Sequence, residues 1–563
     1  MKYLLPYYRK LNNLIFPILL LFGTSIFYVV LSFAHPWIYK IVFENLIPTY
    51  DKDLLVQIIM CLFSIGILNI FSNVLIETLT TYIRTETINL IRIEVTGNLL
   101  AYQYSYFQKN QPGEIIQRLI PEVDGIGTMV AESVKVASYF IQIVLLLFMI
   151  LIINFTMFII SAVVLFFYSV WFRFYRKPIA AFDERLKKHN GELYDIFAEL
   201  FENVKNIKLF NLHRVKIDVV KNKLNLIERD TIKNSIIQSA FGFGGTIFPV
   251  AILIITGFCF HEILKEKMSI GYYLVFTALL VTLAWPIEVL LGFGRHLQTG
   301  IVSAKRIQAI LTNDIEKSGS RKFDSFTSEI RMETVSFSYG DTKVLKNMSI
   351  TVKKGQNVAI VGGSGSGKTT IAHLLVRLYE PAQGRISIDG IPLSSFDLVS
   401  LRNKIGLLSQ DVFIFNGTVG ENINPNGVLA AKEVEATLFK AQIPGFASKL
   451  DYCVGERGQK LSGGERQRLS VARLLGRKCE IIILDEATSN IDPRTTQELL
   501  KTFSDIQKEN PQITFITITH NLVNLYAMDK IYFLENGSIA AQGSCTDLIK
   551  GNQSFRELFN VHA

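Results

Sequence analysis

The sequence predicts an all-α membrane domain with six spanning helices, followed by a water-soluble α/β domain. At 563 residues the chain is too long for a single compact core. Charged residues form only 19% of the chain, below the roughly 25% of typical soluble proteins. The long apolar segments lie before about residue 301, and the chain from about residue 328 onward resembles an ordinary soluble domain. We therefore expect a membrane domain at 1–310, a polar linker at 311–328 and a soluble domain at 329–563.

Six segments are apolar enough to cross a bilayer, whose core needs about 20 residues of helix. The stretch from 136 to 171 is too long for one span, and Asn154 near its middle predicts a tight turn between two spans. We expect the first span to end near His35 and Pro36. The predicted spans lie at residues 14–34, 54–75, 136–171 (a pair), 241–260 and 270–293.

The distribution of basic residues predicts the orientation of these spans. Cytoplasmic loops are enriched in Lys and Arg, so we expect both chain termini in the cytoplasm. The same distribution accounts for the net charge of +9, and no basic stripe interleaved with aromatic residues indicates a nucleic-acid surface. The basic residues that set the orientation precede the first span or follow spans two and four: Lys2, Arg9, Lys10, Arg84, Arg92, Lys109, Arg118, Arg173, Arg176, Lys177, Arg185, Lys187 and Lys188.

The two cytoplasmic connections are each about sixty residues long, and structureless loops of that length are uncommon. They contain few Gly or Pro residues, and the helical periodicity of the spans continues into them. We expect helices that project beyond the bilayer, with each pair joined by a short crossing element. Residues 111–114 are the predicted break in the first pair, and the second break is expected between Asn203 and Leu212.

In the soluble domain, a glycine-rich loop lies between a β-branched strand at 357–361 and an apolar helical stretch at 371–378. The pattern G-x-x-x-x-G-K-[ST] in this setting predicts a phosphate-binding P-loop, because backbone N–H groups at a helix N-terminus attract anions. Lys368 is expected to reach the β- and γ-phosphates, and the Thr369 hydroxyl to bind Mg²⁺. The loop residues expected to contact ATP are Gly362, Gly363, Ser364, Gly365, Ser366, Gly367, Lys368, Thr369 and Thr370.

A second apolar run, at 481–484, ends in Asp485 and Glu486. Continuous apolar character is typical of a parallel strand buried on both faces, and ligands bind at the carboxyl ends of such strands. We expect Asp485 to hold Mg²⁺, and Glu486 to orient or deprotonate the attacking water. The alternative is a pair of acids that only end a strand.

Between these two motifs lies Leu461-Ser462-Gly463-Gly464-Glu465, at the start of a predicted helix. With this motif the whole sequence resembles the ABC transporter family, and specifically its exporter-type half-transporters. The resemblance implies that this signature loop caps the ATP held by the P-loop of a partner subunit, with Ser462, Gly463, Gly464 and Glu465 contributing to that site. The alternative is an ordinary Ser-capped helix, which would need neither glycine.

The resemblance assigns roles to further residues. Tyr339 matches the aromatic residue that stacks on adenine, although a simple strand tyrosine is the alternative. Gln410 matches the glutamine that senses Mg²⁺, and His520 matches the histidine that contacts the γ-phosphate. Residues 489–492 match the loop that contacts the other protomer, and 455–458 resemble a motif of exporter-type members. Residues 107–119 resemble the first coupling segment, and 203–210 lie near the second.

Because no ATPase residue of the family pattern is replaced, the resemblance favours a homodimer with two working sites over a heterodimer. The cargo stays open among amphipathic drugs, lipids, small peptides and siderophore-like metabolites. Glu77 and Glu288 lie at or near membrane depth, where ionisable groups usually face a cavity or a partner. We expect them either to attract a cationic cargo or take part in proton-coupled gating, or to pair with other helices or lie at the interface. The alternatives to ATP-driven export are import, an ATP-gated channel or regulator, and a soluble ATPase acting on DNA or ribosomes.

Overall fold

The computed structural model describes residues 5–9, 12, 14–49, 52–110, 112–242, 247–265, 268–312, 315–410, 412–486, 493–520 and 525–562. The chain forms two compact units. The first comprises residues 1–100 and 110–313, and the second comprises residues 101–109 and 314–563. The second unit thus includes a short segment from the N-terminal half of the chain, as well as the C-terminal half.

The first unit is helical. Its helices are α1 (Leu5–Arg9), α2 (Ile15–Ile41), α3 (Ile47–Thr49), α4 (Lys52–Leu100), α6 (Pro112–Ile153), α7 (Phe155–Glu202), α8 (Val204–Leu209), α9 (His213–Gly242), α10 (Ile247–Leu264) and α11 (Ile270–Leu311), and a π-helical turn (Val42–Leu46) joins α2 to α3. The intervening helix α5 (Tyr104–Lys109) belongs to the second unit.

Five of the described helical segments are long and apolar enough to cross a membrane, namely 15–49, 52–100, 119–153, 155–175 and 270–311. They contain the predicted first, second, third, fourth and sixth spans. The predicted fifth span, 241–260, includes residues 243–246, which lie outside the described part of the chain, and its remainder overlaps the shorter apolar helix Leu253–Leu264.

Two of the sequence expectations about helix ends have different outcomes. The turn at Asn154 is confirmed, because its side chain caps α7 by accepting hydrogen bonds from the backbone N–H groups of Thr156 (2.9 Å) and Met157 (3.2 Å). The expectation that the first span ends near Pro36 is wrong, since α2 continues through Pro36 to Ile41. A buried proline is tolerated inside a membrane helix, where neighbouring helices and local adjustments satisfy the freed backbone group.

The spans continue well beyond the bilayer, as predicted. Helix α4 has 49 residues, which is roughly 74 Å at a rise of 1.5 Å per residue, against a hydrocarbon core of about 30 Å. The second break between projecting helices is confirmed, since α8 occupies 204–209. The first crossing helix, α5, lies at 104–109, so only part of the predicted segment 107–119 belongs to it. Residues 112–119 instead form the first turns of α6, where Pro112 suits the first position of a helix.

The second unit contains two sheets. Its strands are β1 (Glu329–Tyr339), β2 (Thr342–Lys353), β3 (Asn357–Gly362), β4 (Gln383–Ile388), β5 (Ile391–Pro392), β6 (Ile405–Leu408), β7 (Ile481–Asp485), β8 (Thr514–Thr519), β9 (Lys530–Glu535) and β10 (Ser538–Gly543). The helices that follow α11 are α12 (Lys368–Leu375), α13 (Leu398–Lys404), α14 (Val419–Ile423), α15 (Ala431–Lys440), α16 (Gly463–Gly476), α17 (Pro493–Glu509), α18 (Cys545–Gly551) and α19 (Gln553–His562).

The larger sheet has the strand order β10-β9-β3-β8-β7-β6, in which β9, β3, β8, β7 and β6 run parallel. The smaller sheet, β2-β1-β4-β5, is antiparallel. All five residues of β7 are buried, as the continuous apolar run predicted for a strand covered on both faces. The parallel strands therefore bring the carboxyl ends of β3, β6, β7 and β8 to one edge of the sheet.

Residues 315–328 of the predicted linker pack on the second unit, whereas Leu311 and Thr312, which the structure also describes, belong to the first unit. Phe323 and Phe326 are buried in its core at 4% and 0% exposure, and the backbone N–H of Phe326 donates to Glu480 (2.7 Å). Glu316 forms a two-pronged ion pair with Arg402 (2.8 and 2.9 Å). Aromatic side chains thus fix much of this polar segment to the soluble unit. The domain boundaries given above stay a prediction.

If Phe326 fixes this segment, Phe326→Ala should lower the stability of the second unit by about 3–5 kcal/mol, because a fully buried aromatic ring leaves a cavity. The measurement is the unfolding temperature of the second unit within the intact, detergent-solubilised protein. Phe439→Ala is the matched control, since Phe439 is 61% exposed and its loss should change stability by less than about 0.5 kcal/mol. Equal effects of the two substitutions would contradict the prediction.

Candidate nucleotide-binding and hydrolysis site

The glycine-rich loop joins β3 to α12, as the motif predicts. Gly365 and Gly367 adopt left-handed conformations (φ 76° and 98°), which residues with a Cβ rarely adopt. At Gly367 a Cβ would also lie 2.6 Å from a methyl group of Leu345. The loop therefore closes tightly around the N-terminus of α12, where backbone N–H groups and the helix dipole favour an anion.

Lys368, the first residue of α12, is 5% exposed. Its ammonium group donates to the carbonyl oxygens of Gly362 and Gly363, both at 2.9 Å. Burial lowers the pKa of Lys368, and the nearby carboxylates of Glu486 and Asp485 oppose this shift. The lysine thus lies folded into the loop, in a setting where additional negative charge favours its protonated form.

Thr369 and Asp485 meet at the carboxyl ends of β3 and β7. The Thr369 hydroxyl donates to Oδ1 of Asp485 at 3.2 Å, and Asp485 is 2% exposed. Burial raises the pKa of Asp485, while the hydrogen bond from Thr369 and the charge of Lys368 oppose the rise. In the same loop, Ser366 has a buried hydroxyl oxygen without a hydrogen-bond partner among the described residues.

These oxygen atoms fit a hard divalent cation. A hydroxyl and a carboxylate are the protein ligands that accompany phosphate oxygens around Mg²⁺ in P-loop sites. Gln410 follows β6, whose Leu408 pairs with Leu484 one residue before Asp485. Gln410 therefore lies at the same edge of the sheet as Asp485, just beyond the end of the neighbouring strand, and its side chain is exposed.

Glu486 extends beyond β7 in a left-handed conformation (φ 47°), which is uncommon for a residue other than glycine. Its backbone N–H donates to the carbonyl of Ile518 (2.9 Å), and its carboxylate lies 3.2 Å from Nδ1 of His520 and 3.8 Å from Nζ of Lys368. The structure therefore brings Lys368, Glu486 and His520 together. This backbone geometry separates the two carboxylates, so that Asp485 contacts Thr369 and Glu486 lies near His520.

Tyr339 ends β1 next to α12, and its hydroxyl accepts a 3.4 Å hydrogen bond from Thr370. Its ring packs edge-on against Tyr379, with centroids 5.2 Å apart. Tyr379 could not be predicted as a site residue, because it follows α12 outside any motif and only the fold brings it to Tyr339.

The signature loop is not joined to the P-loop of the same chain by any hydrogen bond between described residues. Ser462 caps α16 with its side chain, and the Glu465 carboxylate accepts a hydrogen bond from the Ser462 backbone N–H (2.8 Å). Ser462 and Gly463 are exposed, and a Cβ at Gly463 would meet open space. The loop thus presents a rigid, uncovered helix N-terminus. The predicted protomer-contact loop at 489–492 lies outside the described residues.

Comparisons with known proteins agree with this geometry. A family model described as "ABC transporter" matches residues 345–489, and one described as "ABC transporter transmembrane region" matches residues 18–287. Two curated relatives are each named "ATP-dependent lipid A-core flippase". The Pasteurella multocida protein is 26% identical over 90% of this chain and 88% of its own length, and the Legionella pneumophila protein is 27% identical over 98% and 96%.

Among solved structures, a bacterial Atm1-family ABC exporter with ATP bound matches with a TM-score of 0.81. The two are 24% identical, and the match covers 99% of this chain and 98% of that one. This likeness shows that the two proteins share a fold across membrane and ATPase parts. On these grounds the chain belongs to the ABC transporter family, as an exporter-type half-transporter whose transmembrane region is fused to its ATPase.

Proposed function

We propose that this protein hydrolyses ATP to export an amphipathic, lipid-like molecule across the bacterial plasma membrane, as a dimer with both termini in the cytoplasm. The observation that carries the proposal is the convergence of Lys368, Asp485, Glu486 and His520 at one sheet edge. This edge belongs to a unit that the chain joins directly to long apolar helices.

In this proposal the P-loop residues 362–370 bind the ATP phosphates, and Tyr339 stacks on adenine. Lys368 then exchanges its two carbonyl partners for phosphate oxygens, which favours its charged form where burial had disfavoured it. Thr369, Asp485 and Gln410 would hold Mg²⁺. When bound, the metal ion neutralises negative charge that develops on the phosphates.

Glu486 is the residue that we assign to the attacking water. Its carboxylate is close to His520 and Lys368 but separate from the metal-binding oxygens. It is therefore placed to orient or deprotonate water at the γ-phosphate, while His520 contacts that phosphate. Lys368 stabilises the charge that develops during transfer.

The partner that completes each site is a second copy of this chain. Ser462 and Gly463 are exposed at the N-terminus of α16, which suits a phosphate held by a partner subunit. The tip of the second crossing segment is also apolar and uncovered, with Phe201, Leu209 and Phe210 between 67% and 75% exposed. Exposed apolar patches of this kind are typical of subunit contacts.

The membrane unit favours an amphipathic cargo. A groove of about 800 Å³ is lined by apolar side chains of α7 and α10, including Phe167, Trp171 and Ile254, and suits hydrocarbon. The two relatives are named as lipid A-core flippases, and import is not favoured.

Glu77 forms an ion pair with Lys135 (2.5 Å), so helix pairing, rather than cargo binding, accounts for this acid. No hydrogen bond or ion pair of Glu288 is found among the described residues.

The assignment of Glu486 is tested by Glu486→Gln. The variant should bind ATP and trap a closed dimer, with turnover reduced at least about 100-fold because the amide cannot accept a proton. ATPase rate and dimer content, measured in lipid nanodiscs, give the two readouts. Glu535→Gln, at the exposed end of β9, is the control and should retain full activity. Undiminished ATP turnover in Glu486→Gln would show that Glu486 does not activate the attacking water.

The magnesium site is tested by Asp485→Asn. Binding of ATP without metal should stay within about threefold of the unaltered protein, because the P-loop is intact, whereas the gain in affinity on adding Mg²⁺ should disappear. Fluorescent ATP titrations with and without Mg²⁺ measure both quantities. A gain in affinity that survives the substitution would show that Asp485 is not a metal ligand.

The shared site is tested by mixing two inactive variants, Lys368→Ala and Gly464→Asp. If each site combines one P-loop with the partner's signature, a mixed dimer keeps one intact site, and ATPase activity should rise at least about tenfold above that of either parent. Differently tagged copies allow the mixed dimer to be purified. A mixed dimer as inactive as its parents would contradict this arrangement, and a monomer that binds ATP tightly would contradict the dimer.

A further inference from the structure

We propose that an aromatic bridge, formed by Tyr339, Tyr379 and Tyr104, transmits nucleotide binding to the turn between two membrane helices. The inference rests on the proposed function, since it requires that Tyr339 stacks on ATP and that ATP moves the membrane unit. It adds a physical route between them. Tyr104 and Tyr379 belong to no motif of the sequence, and we assign them as positioning residues.

The three tyrosine rings form a continuous chain of contacts. The Tyr339 and Tyr379 centroids are 5.2 Å apart with an interplanar angle of 86°, and those of Tyr379 and Tyr104 are 5.8 Å apart at 76°. Both are edge-to-face arrangements, which are the favoured geometry for aromatic pairs at 4.5–7 Å. A change in the position of Tyr339 therefore has a direct steric path to Tyr104.

A second contact links Tyr104 to the helix that starts at the P-loop. His373 lies on α12, one turn after Thr369, and its ring is 6.3 Å from that of Tyr104 and 6.1 Å from that of Tyr379. Tyr104 is thus linked to the phosphate end of the site through His373 of α12, and to the adenine end through Tyr379 and Tyr339. This convergence distinguishes Tyr104 from an ordinary surface tyrosine.

Tyr104 lies in a segment held against the ATPase on its other side. The carbonyl of Ala101 accepts a hydrogen bond from the backbone N–H of Glu316 (2.8 Å), and Tyr102 pairs with Ile315 in an isolated β-bridge. Glu316 is itself fixed by Arg402. Residues 101–109 therefore belong to the ATPase unit while their two ends continue into α4 and α6. A displacement of this segment must act on both helices.

The bridge depends on rings rather than on hydrogen bonds. The buried hydroxyl oxygen of Tyr379 and Nδ1 of His373 have no hydrogen-bond partner among the described residues. Burial also lowers the pKa of His373, so its ring is neutral near pH 7 and adds no charge to the cluster. Phenylalanine should consequently replace Tyr379 without loss, whereas leucine should break the bridge.

The protein contains a probe for this transmission. Its three tryptophans, Trp37, Trp171 and Trp285, all lie in the membrane unit, so indole fluorescence reports on that unit alone. The experiment measures the change in indole emission on adding ATP and Mg²⁺ to the full chain in phosphatidylethanolamine–phosphatidylglycerol nanodiscs. The Glu486→Gln background prevents turnover during the measurement, and ATP affinity is measured on the same samples.

In Tyr379→Leu the ATP-induced emission change should fall at least about threefold, while ATP affinity stays within about threefold. When the same substitution is made in the protein that keeps Glu486, kcat for ATP hydrolysis should also stay within about threefold. Tyr104→Leu should behave alike. Tyr379→Phe should restore the full emission change. Tyr452→Leu is the matched control, since the Tyr452 ring packs against Phe446 and, among the described residues, contacts none of the bridge tyrosines. This split between binding and response is not expected of a residue that only stabilises the fold.

The possible results separate the bridge from the proposed function. An emission change that survives in Tyr379→Leu and Tyr104→Leu, with ATP still bound, would overturn the bridge and leave the proposed function intact. Loss of the response in Tyr379→Phe as well would also overturn it, since the rings would then not be sufficient. If ATP leaves the emission of the unaltered protein unchanged, ATP does not move the membrane unit, and both proposals fail together.

Discussion

The site depends on the register of three parallel strands. Val361 of β3 pairs with Thr519 of β8, and Asp485 of β7 pairs with Ile518 of β8. This alignment places the P-loop, the Asp485–Glu486 pair and His520 at the same edge of the sheet. Because side chains alternate between the two faces of a strand, a slip of one residue would exchange the directions of Asp485 and Glu486.

Lys368 and Asp485 place opposite charges at this edge of the sheet, which suits a triphosphate accompanied by a metal ion. Lys368 and Asp485 are both almost fully buried, and burial shifts the pKa of each toward its neutral form. Triphosphate favours a protonated lysine, and Mg²⁺ favours an ionised aspartate. In the proposed function, nucleotide and metal ion would therefore balance the charges that burial disfavours at Lys368 and Asp485.

The membrane imposes the second constraint, because every backbone polar group within lipid must be satisfied internally. Continuous helices meet this requirement, and α4, α6, α7 and α11 each have more than 40 residues. Each of these helices is longer than the roughly 20 residues that a bilayer core requires. Contacts such as the ion pair between Arg306 of α11 and Glu122 of α6 link neighbouring helices.

The sequence by itself determined the features that follow from local pattern. Apolar runs predicted the spans, Asn154 predicted the turn between two of them, and the glycines with Lys368 and Thr369 predicted the phosphate loop. Each of these depends on residues that are close in the chain, where backbone preference and hydropathy act directly. The continuation of α2 through Pro36 was not predictable in this way, because packing between helices overrides the local effect of proline.

Tertiary structure alone decided which distant residues share a site. The 3.2 Å approach of His520 to Glu486 depends on the pairing of β7 with β8, and the pairing of Glu77 with Lys135 depends on α4 lying beside α6. Likewise, Tyr104 and Tyr379 are hundreds of residues apart in the chain, and neither lies in a motif. Their contact arises because residues 101–109 fold onto the ATPase unit, and long-range packing of this kind leaves no trace in local sequence periodicity.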